Sequence, residues 1–386
     1  DYLASGTPYV LVEEKTPPGY ETAPPRVVEV AQTEQIQLYG MENRKQGVEI
    51  VKTDEAGVSL AGARLALYKA DPDGGFCEDG AYLAASWVSG EDGVYTEDDR
   101  KSGRIPEKQS VGSLRPHRLE GLEDRIYYLA EQEAPDGYKG FEPQRLALSG
   151  GRFEQGKAVF QAVNEKKKGV VEIVKTDAAD SGLTLAEAVF ELKNLDTGEH
   201  ILMATGESGT ARSGELETGR TVGGVWKPYR FSVKEVIPPP RYARAVTEYS
   251  FTFSDDPDQK LLLYRLEASN EPTRIEIAKT DFKSGHLVKG AVLAIYETKE
   301  ENGNYTEDGP PVETWISGGG SHLVAGVLSA GGVYLLKELK APKGYALAEP
   351  VLFSISDDGR RVSGISTGTG SVRFTASSDF PDAIER

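Results

Sequence analysis

Three kinds of polar residue recur along the chain, each at the end of a strand-like apolar stretch. A lysine closes an alternating row such as Val48, Ile50 and Lys52. Because residues two apart on a strand share a face, each polar side chain is predicted to point inward with its apolar row. The recurring residues are the lysines Lys52, Lys175 and Lys279, the glutamates Glu13, Glu131, Glu235 and Glu338, and the asparagines Asn43, Asn164 and Asn270.

Such a trio, meeting in a dry core, could form a covalent bond. Burial lowers the pKa of a lysine, which leaves a neutral amine able to attack a carboxamide carbon. Burial also raises the pKa of a glutamate, so that a protonated acid can hydrogen-bond the asparagine carbonyl and polarise it. Loss of ammonia would leave an amide between the two side chains, and folding would supply the proximity. The alternative, strand-end residues that reach solvent as Lys–Glu pairs, is weakened by the recurrence of all three types.

The elements that must position these residues form a repeat. A strand-like opening occurs at 48–54, 171–177 and 275–281, and each copy contains Lys-Thr-Asp or its equivalent. A second motif, Tyr-x-Leu-x-Glu followed by Ala-Pro-x-Gly-Tyr, occurs at 127–138 and 334–345, with variants at 9–20 and 231–242. We refer to the segment from its glutamate to its last tyrosine as the box. Pro-x-Gly after a strand is turn chemistry, because Pro presets φ and Gly tolerates positive φ.

Alternating strands and regular turn signals predict an all-β fold of tandem sandwiches. The predicted boundaries are 1–45 for the C-terminal part of a truncated domain, then full domains at 46–166, 167–272 and 273–386. Links of about ten residues between each asparagine and the next lysine favour a rod. The chain begins inside a motif, so we expect it to be a piece of a longer protein. The insertions 71–118 and 297–322 are predicted to be long surface loops.

Composition narrows the function classes. A net charge of −17 argues against nucleic acid and against anionic membrane surfaces, and no apolar run is long enough for a membrane span. Cys77 is the only cysteine, so rigidity must come from something other than an internal disulfide. The four histidines lack metal-ligand spacing, and we expect no metal, no cofactor and no catalytic constellation for turnover.

The opening motif, the box and the terminal asparagine together resemble the Cna protein B-type domains of Gram-positive surface adhesins and the SpaA-type pilins. The resemblance implies immunoglobulin-like β-sandwiches, each closed by an autocatalytic Lys–Asn isopeptide bond. By position, Lys52 would bond Asn164 with Glu131 assisting, and Lys175 would bond Asn270 with Glu235 assisting. Glu13 and Asn43 would lack their lysine, which is expected upstream of this sequence.

The last domain departs from this pattern. Lys279 and Glu338 are present, but the closing row Val372, Phe374 and Ala376 ends on Ser378 instead of an asparagine. Asp379 is a conceivable acceptor, although it is one residue out of register and would need a bulge to face inward.

The resulting interpretation is a structural stalk or shaft of a bacterial adhesin or pilin, extracellular and attached to the cell wall. The resemblance implies sortase-mediated linkage to peptidoglycan or to other pilin subunits, and a host extracellular ligand stays open. One alternative is an adhesin module that binds a host protein or glycan; another is an accessory module of a large surface enzyme. The three tryptophans can distinguish a stalk from a ligand-binding module, and they are Trp87, Trp226 and Trp315. Exposed tryptophans would favour binding and buried ones a stalk.

Overall fold

The computed structural model describes residues 3–90, 114, 116–150, 152–153, 158–365 and 372–375. Its elements there are β-strands, apart from one turn of 3-10 helix at Gly80–Tyr82. Over these residues, no helix has the length and apolar character needed to cross a membrane.

The strands fall into three successive groups. The first ten are β1 (Pro8–Leu11), β2 (Arg26–Glu29), β3 (Gly47–Asp54), β4 (Arg64–Lys69), β5 (Leu83–Val88), β6 (His117–Glu120), β7 (Ile126–Glu133), β8 (Gln144–Ser149), β9 (Arg152–Phe153) and β10 (Val159–Asn164). The next ten are β11 (Lys168–Asp177), β12 (Val189–Asn194), β13 (His200–Ala204), β14 (Thr210–Arg212), β15 (Leu216–Glu217), β16 (Gly219–Val222), β17 (Val225–Pro228), β18 (Phe231–Ile237), β19 (Glu248–Phe251) and β20 (Leu261–Asn270). The last eight are β21 (Arg274–Lys279), β22 (Val292–Glu301), β23 (Asn304–Ile316), β24 (His322–Ala325), β25 (Val333–Lys340), β26 (Val351–Ile355), β27 (Val362–Gly364) and β28 (Val372–Thr375).

One compact unit comprises Asp1–Lys168, Glu217–Pro228 and Ser254–Leu262. It contains the first sandwich, built from the sheets β10-β3-β6 and β5-β4-β7-β8-β9, and the short pair β1-β2. The core of the sandwich lies between its two sheets, and Ile50, Leu67, Trp87, Leu129 and Ala162 are all buried there. The period-2 pattern explains this core, since one face of each strand is apolar and must be covered.

The second compact unit comprises Gly169–Leu216, Tyr229–Phe253 and Leu263–Arg386. It holds the second sandwich, whose strands pair as β14-β11-β20 and as β13-β12-β18-β19. It also holds the third sandwich, with sheets β24-β21-β28 and β23-β22-β25-β26-β27. In the third sandwich a buried cluster that includes Ile277, Leu293, Trp315, Leu336 and Phe353 occupies the space between the sheets. The all-β prediction of tandem sandwiches is therefore confirmed.

The prediction of loops in the two insertions was wrong in part. Residues 297–316 belong to the hairpin β22-β23, which pairs out to Glu301 and Asn304. Asn302 and Gly303 both have positive φ, as a tight two-residue hairpin turn requires. The sequence shows little sign of this ribbon. Its outer part is exposed on both faces, so its residues do not alternate between apolar and polar. The 71–118 segment likewise contains β5 and the 3-10 turn, while residues 91–113 lie outside the described part of the chain.

The turn in the first sandwich's box needs glycine for two reasons. Gly137 has a φ of +77°, in the region that side chains avoid, and the Trp226 indole ring covers it. A Cβ at this position would lie 2.2 Å from the indole Cε2 atom. Gly344, at the same place in the last box, has a φ of +90° but no atom within 4 Å of such a Cβ.

We therefore expect Gly137→Ala to lower the free energy of unfolding by about 3 kcal/mol, because strain at positive φ and overpacking add. Gly344→Ala adds only the strain and should cost about 1 kcal/mol. Urea unfolding followed by tryptophan fluorescence measures both effects. Equal losses in the two variants would show that the contact with Trp226 contributes nothing.

Candidate functional site

The first Lys–Glu–Asn set is assembled from both sheets of the first sandwich. Lys52 lies on β3 and Asn164 on β10, and these neighbouring strands run parallel with Lys52 opposite Ala162. Glu131 lies on β7 of the facing sheet. Parity along the strands therefore placed all three side chains correctly, since each points into the interior with its apolar row.

The two carboxylate oxygens of Glu131 face different partners. Its Oε1 atom lies 3.6 Å from Lys52 Nζ, and the two side chains are 3% and 0% exposed. Its Oε2 atom accepts a hydrogen bond from Asn164 Nδ2 at 2.6 Å. Lys52 Nζ also donates to the Ala162 carbonyl at 3.1 Å and lies 5.2 Å from the centre of the Phe141 ring. The glutamate thus stands between the amine and the amide.

Burial shifts both ionisable groups toward their neutral forms. Desolvation lowers the pKa of Lys52 to about 8, although the nearby Glu131 opposes the shift. Desolvation likewise raises the pKa of Glu131, against the opposing effects of Lys52 and Asn164. A neutral amine beside a protonated acid is the protonation state that the proposed attack on a carboxamide needs.

The second set occupies the matching positions in the second sandwich, without the close lysine–glutamate contact of the first among the described residues. Lys175 is 0%, Glu235 5% and Asn270 3% exposed, and β11 pairs with β20. Asn270 Nδ2 donates to Glu235 Oε2 at 2.8 Å. Desolvation lowers the pKa of Lys175 to about 8 and raises that of Glu235. Unlike Lys52, Lys175 has an Nζ atom with no hydrogen-bond partner among the described residues.

The remaining sets are partial, as the sequence predicts. Near the N-terminus, Asn43 Nδ2 donates to both oxygens of Glu13, at 2.8 and 2.7 Å. In the third sandwich, Lys279 Nζ lies 3.5 Å from Glu338 Oε1. Strand β28 runs antiparallel to β21, with Val372 opposite Lys279 and Thr375 opposite Glu276, so it leads away from the lysine. Asp379 lies outside the described residues.

A backbone contact that the sequence reading missed holds every one of these glutamates. The N–H ten residues after each glutamate donates to its Oε2 atom at 2.6 to 3.2 Å, and the donors are Ala23, Phe141, Ala245 and Ala348. The backbone carbonyl eight residues after the glutamate accepts a hydrogen bond from the asparagine side chain. Glu21 accepts from Asn43, and Lys139 accepts from Asn164. The sequence carries a signal for this contact, because six residues separate the glutamate from the tyrosine in all four boxes.

The contact between Glu131 and Asn164 also differs from the expected one. We expected the acid to face the asparagine carbonyl, but it faces the amide nitrogen. The Lys139 carbonyl, 2.6 Å from the same nitrogen, accounts for this orientation, because a carbonyl needs a donor opposite it. Asn164 Oδ1 is buried and has no hydrogen-bond partner in the described part of the chain.

Comparison with known proteins identifies one stretch of the chain by sequence. Residues 273–367 match the family described as SpaA: prealbumin-like fold domain. The third sandwich is therefore a SpaA-type domain. No curated protein sequence is significantly similar to the chain.

Several solved structures are similar to the chain over part of its length. The TIE protein of Bacillus anthracis is 21% identical, covers 87% of this chain and has a TM-score of 0.49. This chain spans about half of that protein, 52%. The streptococcal ancillary pilin is 18% identical over 80% of this chain and 95% of its own, with a TM-score of 0.25. The shaft pilin SpaA of Lactobacillus rhamnosus GG is 13% identical over 50% and 94%, with a TM-score of 0.25.

The lowered lysine pKa should be directly measurable once the acceptor is removed. In Asn164→Ala, we expect Lys52 to titrate near pH 8, while the lysine of the unfolded chain titrates near 10.5. Between these values the unfolded state binds more protons, so the free energy of unfolding should rise with pH by up to about 3 kcal/mol. NMR titration of the lysine Nζ checks the midpoint, and exposed Lys193 is a control. A midpoint of Lys52 near 10.5 would contradict the buried site.

Proposed function

We propose that the chain is part of the stalk or shaft of a bacterial surface adhesin or pilin, closed by Lys–Asn isopeptide bonds that form without another enzyme. The observation that carries the proposal is the buried glutamate whose two oxygens face a lysine amine and an asparagine amide. In the second sandwich Asn270 likewise donates to a buried glutamate, Glu235, and Lys175 is buried close enough for the charge of Glu235 to affect its pKa, which supports chemistry over an incidental buried ion pair.

The reaction balances within the first set. The neutral Lys52 amine attacks the Asn164 side-chain carbon, which becomes tetrahedral, and the amide nitrogen loses its conjugation and becomes basic. That nitrogen takes the proton of Glu131 from Oε2 and leaves as ammonia, while Oε1 receives the proton that the lysine nitrogen gives up. One C–N bond forms, one breaks, and Glu131 ends as it began. Lys175, Glu235 and Asn270 would react in the same way.

A covalent bond between strands supplies the rigidity that disulfides give other small extracellular domains. This role fits the SpaA-type third sandwich, and it implies a location on the bacterial cell wall. The partners that follow are peptidoglycan or other pilin subunits, joined through a sortase. Two of the three tryptophans favour a stalk over a glycan-binding face, since Trp87 is 1% and Trp315 8% exposed. Trp226 packs on Gly137 and Gly219.

Intact mass tests the bond formation. We expect the purified chain to be lighter than its sequence by two molecules of ammonia, one for each complete set. Glu131→Gln keeps the shape of the side chain but cannot carry the proton, so only one ammonia should be lost. Glu133→Gln is the matched control, because Glu133 is on the same strand but is 42% exposed and pairs with Arg64. A mass equal to the plain sequence would overturn the proposal.

The bond should also raise stability. It closes a loop of more than a hundred residues between Lys52 and Asn164, and a cross-link over such a loop is worth about 4 to 5 kcal/mol. We therefore expect Glu131→Gln to lower the free energy of unfolding of the first sandwich by about this amount relative to Glu133→Gln. Urea unfolding read from Trp87 measures the difference. If the linked chain and the unlinked Glu131→Gln variant are equally stable, the isopeptide bond has no stabilising role.

For the last set we propose Asp379 as the acceptor, with Lys279 as nucleophile and Glu338 as proton carrier, which requires the chain after Thr375 to turn back toward the lysine because β28 itself leads away from it. An acid acceptor would release water instead of ammonia. Mass spectrometry of the linked peptides separates the two losses. An unlinked Lys279 peptide in the purified chain would exclude this third bond.

A further inference from the structure

A second hydrogen bond links the lysine strand to the box in the first two sandwiches. In the first, the Tyr138 hydroxyl donates to Asp54 Oδ2 at 3.3 Å. Asp54 follows Lys52 by two residues, and Tyr138 follows Glu131 by seven. The Tyr138 ring is 1% exposed and the Asp54 side chain 2% exposed, so the contact is inside the protein and close to the reactive residues.

The same pair recurs at matched positions. In the second sandwich, Tyr242 donates to Asp177 Oδ2 at 3.0 Å. In the third, Tyr345 lies near Asp281 but is 47% exposed, so the buried pair is specific to the first two sandwiches. In every case the other carboxylate oxygen accepts two backbone N–H groups of the loop that follows, such as those of Ala56 and Val58 for Asp54. Each aspartate is therefore fixed by its own strand, and the tyrosine is the part that attaches the box to it.

The location of this contact gives it a specific consequence. Lysine and asparagine lie on neighbouring strands of one sheet, where backbone pairing sets their distance. The glutamate comes from the facing sheet, about 10 Å away in such folds, and backbone hydrogen bonds such as Lys139 N–H to the Glu165 carbonyl join the segment after it to the asparagine side of the site. The Tyr–Asp bond crosses between the two sheets next to the site. It therefore adds the tie to the lysine strand and helps to set how closely the glutamate approaches the amine.

We propose that Tyr138 and Tyr242 are positioning residues for amide formation, because their hydroxyls tie the box that carries the glutamate to the strand that carries the lysine. This inference rests on the proposed function and adds two residues that touch none of the reacting atoms. Reaction rates depend steeply on such placement, and a misplacement of 1 Å can cost about 100-fold.

The test is a time course of ammonia loss during cell-free synthesis, quenched in denaturant and read by mass spectrometry of the linked peptides. Tyr138→Phe should slow the Lys52–Asn164 bond roughly tenfold and leave the Lys175–Asn270 bond unchanged. Tyr242→Phe should do the reverse. Each molecule thus carries its own control for synthesis and for overall folding.

Two further variants separate positioning from stability. Tyr127→Phe removes a buried hydroxyl from the same sandwich, bonded to the Glu123 backbone, and should leave the bond rate unchanged. Thr221→Val removes the other contact of the Tyr138 hydroxyl, at 2.6 Å, and should also leave it unchanged.

The outcomes are distinct. An unaltered rate in folded Tyr138→Phe and Tyr242→Phe overturns the inference alone. Equal slowing in Tyr127→Phe overturns it as well, because general destabilisation would then account for the effect. Absence of both bonds from the unaltered chain overturns the proposed function and this inference together.

Discussion

The structure depends on a lysine and a glutamate that share a site with almost no access to water. Burying two opposite charges in this way costs free energy that their mutual attraction does not fully return. Desolvation instead moves both groups toward their neutral forms, at Lys52 and Glu131 and again at Lys175 and Glu235. The surrounding polar contacts serve the same site. The backbone N–H ten residues on from the glutamate, the carbonyl eight residues on and the Tyr–Asp bond all fix groups that would otherwise lie unpaired in an apolar interior.

Much of this could be predicted from the sequence because strands have a strict period of two. The apolar rows show which face of each strand is buried, as in Val48, Ile50, Lys52 and in Tyr127, Leu129, Glu131. The repeat shows that a polar residue ends each row consistently. The backbone contacts made by the segment just after the box could not be derived in the same way. They run from backbone atoms of an irregular turn, such as the N–H of Phe141, and no side-chain pattern encodes them. Only the constant length of the box hinted at them.

Other features were hidden for a different reason. The ribbon formed by β22 and β23 has solvent on both faces beyond Glu297, so its residues carry no apolar alternation. The direction of β28 is also invisible in a row such as Val372 and Phe374, because parity reports which residues share a face but not which way the strand runs. The orientation of the Asn164 amide depends on the backbone carbonyl of Lys139. That residue lies in the irregular segment after β7, where no apolar row indicates which way its carbonyl points.

The parallel pairing of β3 and β10 has a mechanical consequence. Lys52 and Asn164 lie near the C-terminal ends of neighbouring parallel strands, which are the first and the last strand of the first sandwich. With an amide between them, a pulling force on the chain would pass along β3 to Lys52, across the new bond and out through Asn164. The residues from Thr53 to Val163 would form a side loop that bears no tension. The sandwich could then be stretched to the strength of its covalent bonds without unfolding.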